Sequence, residues 1–388
     1  MEQNQIARRM DFIAPFYVMD LLARAKELEA EGRSIIHMEV GEPDFDTPQL
    51  IIDEAKKGLD LGFTGYTPAA GIPPLREKIR DHYRNTFDVE VKASRIMITP
   101  GSSGALQLVM GVLVNPGESV LMTDPGYPCN KHFVAAVNGV AKPLPVGPDT
   151  AYQLSAELIE KHWDDTTRAA MVATPSNPTG TLLSKQELSD IYDVVRGKGG
   201  MLIVDEIYQG LVYGRKPFSA LSVTDNIIVI NSFSKYFTMT GWRLGWLVAP
   251  EHYIEAIDRL AQNIFISSTA SSQFAALKAF DPECIEVLEK RREEFCKRRD
   301  FLLPALSELG FKFPVVPEGA FYLYGDCSEL TDDSFSFAYD LLEQEGVAIT
   351  PGKDFGSNKH EHHVRFAYTT EIDMMQEAVA RIRRFLGK

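Results

Sequence analysis

The sequence predicts an α/β protein followed by a smaller α+β lobe, and three observations predict it. Short apolar runs at residues 95–99, 119–123, 168–174, 200–205 and 226–231 read as buried strands, each running into a turn rich in Gly, Pro, Ser or Asn. From residue 251 to about 309 the pattern becomes that of long helices. Beyond residue 311, strand-like stretches (317–323, 347–350, 364–368) mix with helical ones (334–345, 371–386), the order of an α+β unit.

Composition narrows the class. The chain has 388 residues, 45% hydrophobic and 24% charged, enough for a large core and for two or three lobes. A net charge of −14 without any block of Lys or Arg argues against nucleic acid and anionic membrane as partners. Cys129, Cys284, Cys296 and Cys327 are scattered without a Cys-x-x-Cys pair, and Cys129 with His132 has no second pair to complete a zinc site. Free thiols, no metal and a reducing compartment are therefore expected. Residues 1–10 are polar, with no secretion-type apolar run, and no segment approaches the roughly 20 apolar residues that span a bilayer, so a cytoplasmic location is expected.

Taken in order, residues 18–31 carry Leu21, Leu22, Ala25 and Leu28 at helical spacing, ended by Gly32. A strand at 35–40 leads into Gly41-Glu42-Pro43-Asp44-Phe45-Asp46-Thr47-Pro48, a breaker-rich turn ahead of a helix from Gln49. The Gly/Pro-rich loop 65–76, which contains Tyr66, enters a helix whose Leu75, Ile79 and Tyr83 share a face. Gly101-Ser102-Ser103-Gly104 sits at the junction between strand 95–99 and a helix over 105–114. Such a small-residue turn offers free backbone N–H groups and the positive end of a helix dipole to an anion, although turns of this kind also arise for steric reasons alone. It is neither Gly-x-Gly-x-x-Gly nor a Walker loop, so dinucleotide and ATP readings lose support.

Tyr127, after Asp124-Pro125-Gly126, is an aromatic on a strand-end loop, able to stack on a planar ring. Pro175-Ser176-Asn177-Pro178-Thr179-Gly180 is a sharp turn. The strand ending in Asp205 and Glu206 is followed by Tyr208. Arg291-Arg292 and Lys297-Arg298-Arg299 read as a solvated helix face, and Arg365, alternating with apolar neighbours, reads as an edge-strand charge pointing away from the local core.

The chemistry centres on Ser232-Phe233-Ser234-Lys235 and the Gly241-Trp242-Arg243-Leu244-Gly245 that follows. Lys235 arrives just past a strand's carboxyl end, where α/β proteins place their sites. Withdrawn from water it loses its proton more easily, and a neutral amine forms a Schiff base with a carbonyl. Ser232 and Arg243 are a hydroxyl and a fixed-charge fork suited to a phosphate. An aldehyde that also carries a phosphate points to pyridoxal 5'-phosphate (PLP).

This string, with Gly-x-Pro-Asp-Phe, Asn-Pro-Thr-Gly, Val-Asp-Glu-x-Tyr and Val-Arg-Phe in the expected order from Gly41 to Arg365, closely resembles the class I/II aminotransferases, fold-type I PLP enzymes, and most resembles their aspartate/aromatic subgroup I-gamma. The resemblance implies a PLP-binding domain over residues 46–285 with a mostly parallel central sheet, a small domain over 286–388, and residues 1–45 packing on the latter. It implies that Lys235 carries the cofactor and moves the Cα proton, and that Asp205 holds the pyridine nitrogen protonated. Tyr208 and Asn177 would serve the phenolic oxygen, Tyr127 would cover the ring, and Gly101, Ser102, Ser103, Ser232 and Arg243 would surround the phosphate. Tyr66 would reach across a homodimer to the neighbouring phosphate. Gly41, Asn177, Arg365 and Tyr17 would bind substrate, Arg365 gripping the α-carboxylate and Phe16 joining Tyr17 over the pocket. An Asn177–Pro178 cis bond would also follow.

The implied reaction moves an amino group from an L-amino acid to a 2-oxo acid by ping-pong kinetics through pyridoxamine phosphate. A β-lyase acting on cysteine conjugates and a non-catalytic PLP-binding regulator are the alternatives. The regulator would need a DNA-binding module, for which the helix at 18–31 starts too near the terminus. No motif marks a second arginine for dicarboxylate substrates, so the substrate pair is open.

Overall fold

In the computed structural model, which describes residues 6–15 and 17–388, the apolar runs pair into one seven-stranded sheet. After a short 3-10 helix (Arg8–Phe12) come α1 (Tyr17–Ala30), β1 (Ile36–His37), α2 (Gln49–Asp60) and α3 (Pro73–Phe87). The sheet follows as β2 (Ile96–Thr99), α4 (Gly101–Leu113), β3 (Ser119–Asp124), α5 (Asn130–Ala136), β4 (Val140–Pro145), α6 (Ala156–His162), β5 (Thr167–Ala173), α7 (Lys185–Gly197), β6 (Met201–Asp205), β7 (Ile228–Ser232) and β8 (Gly245–Val248). Then come α8 (Glu251–Ile264), α9 (Ala270–Ala276), α10 (Pro282–Glu308), β9 (Tyr322–Asp326), α11 (Ser334–Glu345), β10 (Val347–Ala348), β11 (Thr350–Pro351), β12 (His363–Ala367) and α12 (Ile372–Phe385).

The large sheet runs β2-β8-β7-β6-β5-β3-β4 and is parallel except for β8, which is antiparallel to both neighbours. Alternation along the strands splits its side chains between two cores. Val120, Met171, Ile203, Ile230 and Leu247 pack with Leu106, Val109 and Met110 of α4 and Ile257 of α8. Leu121, Val172, Val204, Val229 and Trp246 face the other way, toward α3 and α7. A sheet buried on both faces leaves its strand ends, rather than its faces, as places for polar chemistry. The carboxyl ends of β5, β6 and β7 lie side by side in register, Ala173 against Asp205 and Asp205 against Ile230.

Several elements differ from expectation for visible reasons. The strand expected at 35–40 is only Ile36–His37, paired parallel to β10. Just beyond it the backbone serves other partners: Arg365 and Thr350 both donate to the Glu39 carbonyl. The helix expected from residue 105 already starts at Gly101, so Gly101–Gly104 form its first turn. The strand expected at 317–323 is displaced to Tyr322–Asp326, because the Gly319 N–H bonds Gly180, the Ala320 N–H bonds Leu211 and Ala320 turns left-handed at φ 58°.

Two charged positions are also corrected. Arg365 lies on the central strand of the three-stranded sheet β11-β12-β9 and is buried, not an edge-strand surface charge. Arg298, read as solvated, is buried and donates to Asp44 at 2.7 Å, its guanidinium 5.0 Å from the Phe45 ring centroid. Arg291 donates to the Asp46 carbonyl at 2.7 Å. A planar guanidinium suits such a place, because it can stack on an aromatic face while its rim donates in plane. The boundary expected at residue 285 falls inside the unbroken α10. Asp124–Pro125, Thr174–Pro175 and Asn177–Pro178 are cis. The four cysteines are free, and among the described residues no group of His, Cys, Asp or Glu could hold a metal ion and no helix is long and apolar enough to cross a membrane.

Candidate active site

Beyond β7 the chain turns at Ser232–Ser234 and delivers Lys235 into a cavity of about 280 Å³ at the strand ends. The turn is pinned from both sides. The Phe233 N–H bonds the Leu244 carbonyl at 3.0 Å and the Met239 N–H bonds the Phe233 carbonyl at 3.1 Å, while the Phe233 ring packs against Phe237, Trp246 and Phe280. Lys235 Nζ donates to the Gly41 carbonyl at 2.5 Å and lies about 6 Å from the ring centroids of Tyr208 and Phe321. Desolvation lowers its pKa to about 8, with Arg365 and Arg243 adding to the effect and Glu42 opposing it.

One wall of the cavity is built for an anion. Ser102 and Ser103 enter it from the first turn of α4, Ser232 and Ser234 from the β7 turn, and Arg243 from the left-handed residue that precedes β8. Gly101 holds φ +69°, and a Cβ there would come within 2.7 Å of an Arg243 terminal nitrogen. The glycine is therefore needed both for its backbone and for the arginine's seat. Free N–H groups of a helix's first turn beside hydroxyls and a guanidinium make a phosphate-type cradle.

Asp205, at the end of β6, is buried under this floor. One of its oxygens accepts from the Ile207 N–H at 3.0 Å. Desolvation raises its pKa to about 7, since Lys235 is only a partial counterweight. A buried carboxylate so poorly matched with cations is a fitting partner for a ligand's protonated ring nitrogen. Tyr208 lies next to Tyr322, their hydroxyls 2.7 Å apart, and burial holds the Tyr208 hydroxyl well above its usual pKa. Tyr127 lines the same cavity, also held neutral by burial.

The opposite end belongs to Arg365. It donates to Asn177 Oδ1 at 2.9 Å, to Thr350 Oγ1 at 3.2 Å and to the Glu39 carbonyl, and stacks over Tyr322 with its centre 4.3 Å from the ring centroid. Its Nε, although buried, has no partner among the described residues. A guanidinium has about five N–H donors, so this one is aligned by some and keeps others for a ligand carboxylate. Gly41 lies beside it, where a Cβ would be 2.2 Å from the Tyr322 hydroxyl.

Gly41, Ser102, Ser103, Tyr127, Asn177, Tyr208, Ser232, Lys235, Arg243 and Arg365 thus line one cavity, with Asp205 and Gly101 directly behind it. Two further expected residues lie away from it. Tyr66 is 85% exposed on the surface of this chain. Tyr17 donates its N–H to Asp354 at 3.0 Å and packs its ring edge on Phe335, while its neighbours Val18 and Met19 face the cavity instead. Phe16 lies outside the described residues. Tyr322, Ser234, Glu42 and Thr240 are lining residues that sequence reasoning did not assign. Ser234 had a signal, as the second hydroxyl of Ser-Phe-Ser-Lys, whereas Tyr322 had only its place in an apolar run.

Comparison with known proteins agrees with this geometry. The profile of the family described as aminotransferase class I and II matches residues 33–382. The chain is 38% identical to a (5-formylfuran-3-yl)methyl phosphate transaminase of Methanocaldococcus jannaschii, over 99% of this chain and 100% of that one. It is 36% identical to a valine–pyruvate aminotransferase of Mycobacterium tuberculosis, over 96% and 97% of the two chains. The crystal structure of an aminotransferase from Mycobacterium tuberculosis superposes with a TM-score of 0.96 at 35% identity, covering 99% of this chain and 100% of that one. With family profile, full-length relatives and fold-type I architecture in agreement, the chain belongs to the class I and II aminotransferases.

Proposed function

We propose that the protein is a PLP-dependent aminotransferase that moves an amino group from an L-amino acid to a 2-oxo acid by a ping-pong mechanism. The observation that carries the reading is one amine of depressed pKa held between an anion cradle, a buried carboxylate and a partly unpaired guanidinium. PLP fits those residues: Ser102, Ser103, Ser232, Ser234 and Arg243 would hold its phosphate, Asp205 its ring nitrogen, Tyr208 and Asn177 its phenolic oxygen, and Tyr127 its ring face. Bound there, the cofactor supplies an electron sink and a carrier for the amino group between the two half-reactions.

The chain's own residues do the rest. Arg365 orients the substrate by its α-carboxylate, with Asn177 and Thr350 fixing the fork in advance. Lys235, whose lowered pKa makes the neutral amine accessible near pH 7–8, takes the proton from Cα and returns one. Gly41, by accepting from Nζ, gives the amine a defined resting position. A bound cofactor and substrate would displace water from this open cavity and so strengthen each of these interactions.

We further propose a homodimer in which Tyr66 completes the neighbouring site. Leu59, Leu61 and Phe63 at the end of α2, and Ile264 and Ile266 at the end of α8, are exposed apolar side chains. Phe63 stacks on Phe274 at 4.2 Å and Gln273 donates to Thr67 at 2.9 Å, so the Tyr66 loop is braced rather than loose. In the division into residues 1–45, 46–285 and 286–388, which belongs to the same reading, the pairing of β1 with β10 supports only the packing of the first segment on the last, and α10 runs through the 285 boundary.

The test is a half-reaction panel. PLP-loaded protein mixed with single amino acids should pass to the aminated cofactor spectrum and release the matching 2-oxo acid, and added 2-oxo acid should reverse it. Release of pyruvate, ammonia and a thiol from a cysteine conjugate without any acceptor would instead identify a β-lyase. Lys235→Ala should abolish either reaction while leaving the fold intact.

A further inference from the structure

A single buried carboxylate outside the cavity joins two of its walls. Asp124 ends β3 and is 4% exposed. The Ser357 N–H donates to both of its oxygens, 3.1 Å from Oδ1 and 3.0 Å from Oδ2, the Asn358 N–H donates to Oδ1 at 3.2 Å, and the Ser357 hydroxyl donates to Oδ2 at 2.8 Å. The Asn358 side chain continues the seam, donating to the Asp124 carbonyl at 3.3 Å and to the Val146 carbonyl at 3.1 Å. Gly356 fits against this carboxylate only because it lacks a side chain; a Cβ there would collide with Oδ1. Residues 356–358 are thus fastened to the end of β3 by charge-assisted bonds, the stronger kind.

The stretch so held begins just after a residue that reaches the site. The Phe355 ring is buried, and its centroid lies 4.8 Å from the centre of the Arg365 guanidinium, whose other aromatic neighbour, Tyr322, is at 4.3 Å. A guanidinium is drawn to aromatic faces, so the position of each ring helps to set where the fork stands. The backbone of Phe355 serves the Tyr127 wall: its carbonyl accepts from the Gly126 N–H at 2.9 Å, one residue before Tyr127. Asp124 and Phe355 touch lining residues from behind and do not themselves line the cavity.

Resting on the transaminase reading above, in which Arg365 takes the α-carboxylate, we propose that Asp124 is a positioning residue for substrate binding. By anchoring residues 356–358 it seats Phe355 against Arg365, and so sets the affinity of the site for the α-carboxylate that amino donor and 2-oxo acceptor share. A ping-pong reaction uses this one grip twice, so loss of the anchor weakens both substrates by similar factors. A residue that mattered only to folding would lower the amount of active protein and leave both half-saturating concentrations in place.

The test uses single half-reactions of the PLP-loaded protein with the best amino donor of the panel and with the 2-oxo acid that reverses it. Asp124→Ala should raise the half-saturating concentration of both about tenfold. Asp124→Asn, which keeps one carbonyl oxygen for the two N–H groups, should recover at least half of that loss on a logarithmic scale. Calorimetric titration with 2-methylalanine, which has no Cα proton to lose, should weaken by the same factor as the donor. Unchanged half-saturation, or a loss confined to kcat, overturns the inference, as does unchanged binding of 2-methylalanine. Phe355→Leu alone should cost about tenfold, but less than about threefold on top of Asp124→Ala, and factors that simply multiply overturn the route through Phe355. Ser357 is exposed, so Ser357→Ala removes one bond to the carboxylate without disturbing the core and serves if Asp124→Ala does not fold. It should raise both half-saturating concentrations about twofold to threefold, and unchanged values again overturn the inference. If no amino acid at all changes the cofactor spectrum of the unaltered protein, the transaminase reading itself has failed, and this inference with it.

Discussion

Replacing Lys235 by methionine should stabilise the cofactor-free protein while abolishing its activity. The folded state lowers the pKa of this amine from 10.5 to about 8, chiefly by desolvation. Below pH 8 the amine is protonated in both folded and unfolded chains, so the folded state carries the whole penalty, and at ~1.36 kcal/mol per pKa unit this is about 3 kcal/mol. Lys235 is only partly shielded by area, and screening through the open cavity reduces the expected gain to about 1–2 kcal/mol. As pH rises from about 8 to 10.5 the folded state gives up its proton first and the penalty fades, so the advantage of Lys235→Met should shrink over that window. Denaturant unfolding of both cofactor-free proteins at pH 7 and pH 10 reads the difference directly. If the variant is less stable at pH 7, or its advantage grows with pH, then the amine is not desolvated and the account of its reactivity fails.

Asp205→Asn should lower kcat by about two orders of magnitude or more, read in steady-state assays. Because burial raises the carboxyl pKa from 3.8 to about 7, the same variant should add roughly 2–4 kcal/mol to the cofactor-free protein above pH 7, where the wild-type carboxylate is charged, and little at pH 4. Arg298→Ala should cost about 2–3 kcal/mol in denaturant unfolding, less than a fully buried pair because the Asp44 side chain is 25% exposed. It should also raise KM for the amino donor through the loosened Gly41 loop, and Arg298→Lys, lacking the planar fork, should recover less than half of either effect. Tyr66→Phe should weaken PLP retention in equilibrium dialysis about tenfold, one charge-assisted hydrogen bond, and leave the oligomeric state in sedimentation unchanged.

The parts of the site that were legible in the sequence are those whose chemistry is local. Ser232 ends β7, and Lys235 and Arg243 lie in the short connection from it to the adjacent β8, so residue order nearly specifies their geometry. Tyr322 was missed because its meaning comes from Tyr208, 114 residues away, whose hydroxyl it meets. Arg298 was misread for the same reason: a basic run on a helix is ordinarily solvated, and only Asp44, 254 residues earlier in the chain, removes it from solvent. Propensity misplaced the start of α4. Gly and Ser are modest helix formers, so the pattern suggested a start at residue 105, whereas packing against β8 and Arg243 carries the helix back to Gly101. That difference strengthens the anion reading, since it places Ser102 and Ser103 inside the first helical turn.

The same burial that organises the site also works against it. Lys235, Asp205 and Glu206 are all pushed toward neutrality, mainly by desolvation, at adjacent strand ends. A site assembled from such groups persists only if something else holds the backbone, and here the support comes from behind and across. Glu206 is satisfied by Ser219 and the Ala220 N–H, two hydrophobic layers clamp the strands, and buried Arg298 ties the Gly41 loop to α10. At the far end Arg365 is aligned by Asn177, Thr350 and the Glu39 carbonyl, groups from three separate stretches of chain. Because those bonds are made before any substrate arrives, ordering the fork subtracts little from binding, and its free Nε meets a carboxylate in a position already set. Substrate binding can then act on the geometry at Lys235, where an amine near its titration midpoint needs only a well-placed Cα to exchange a proton.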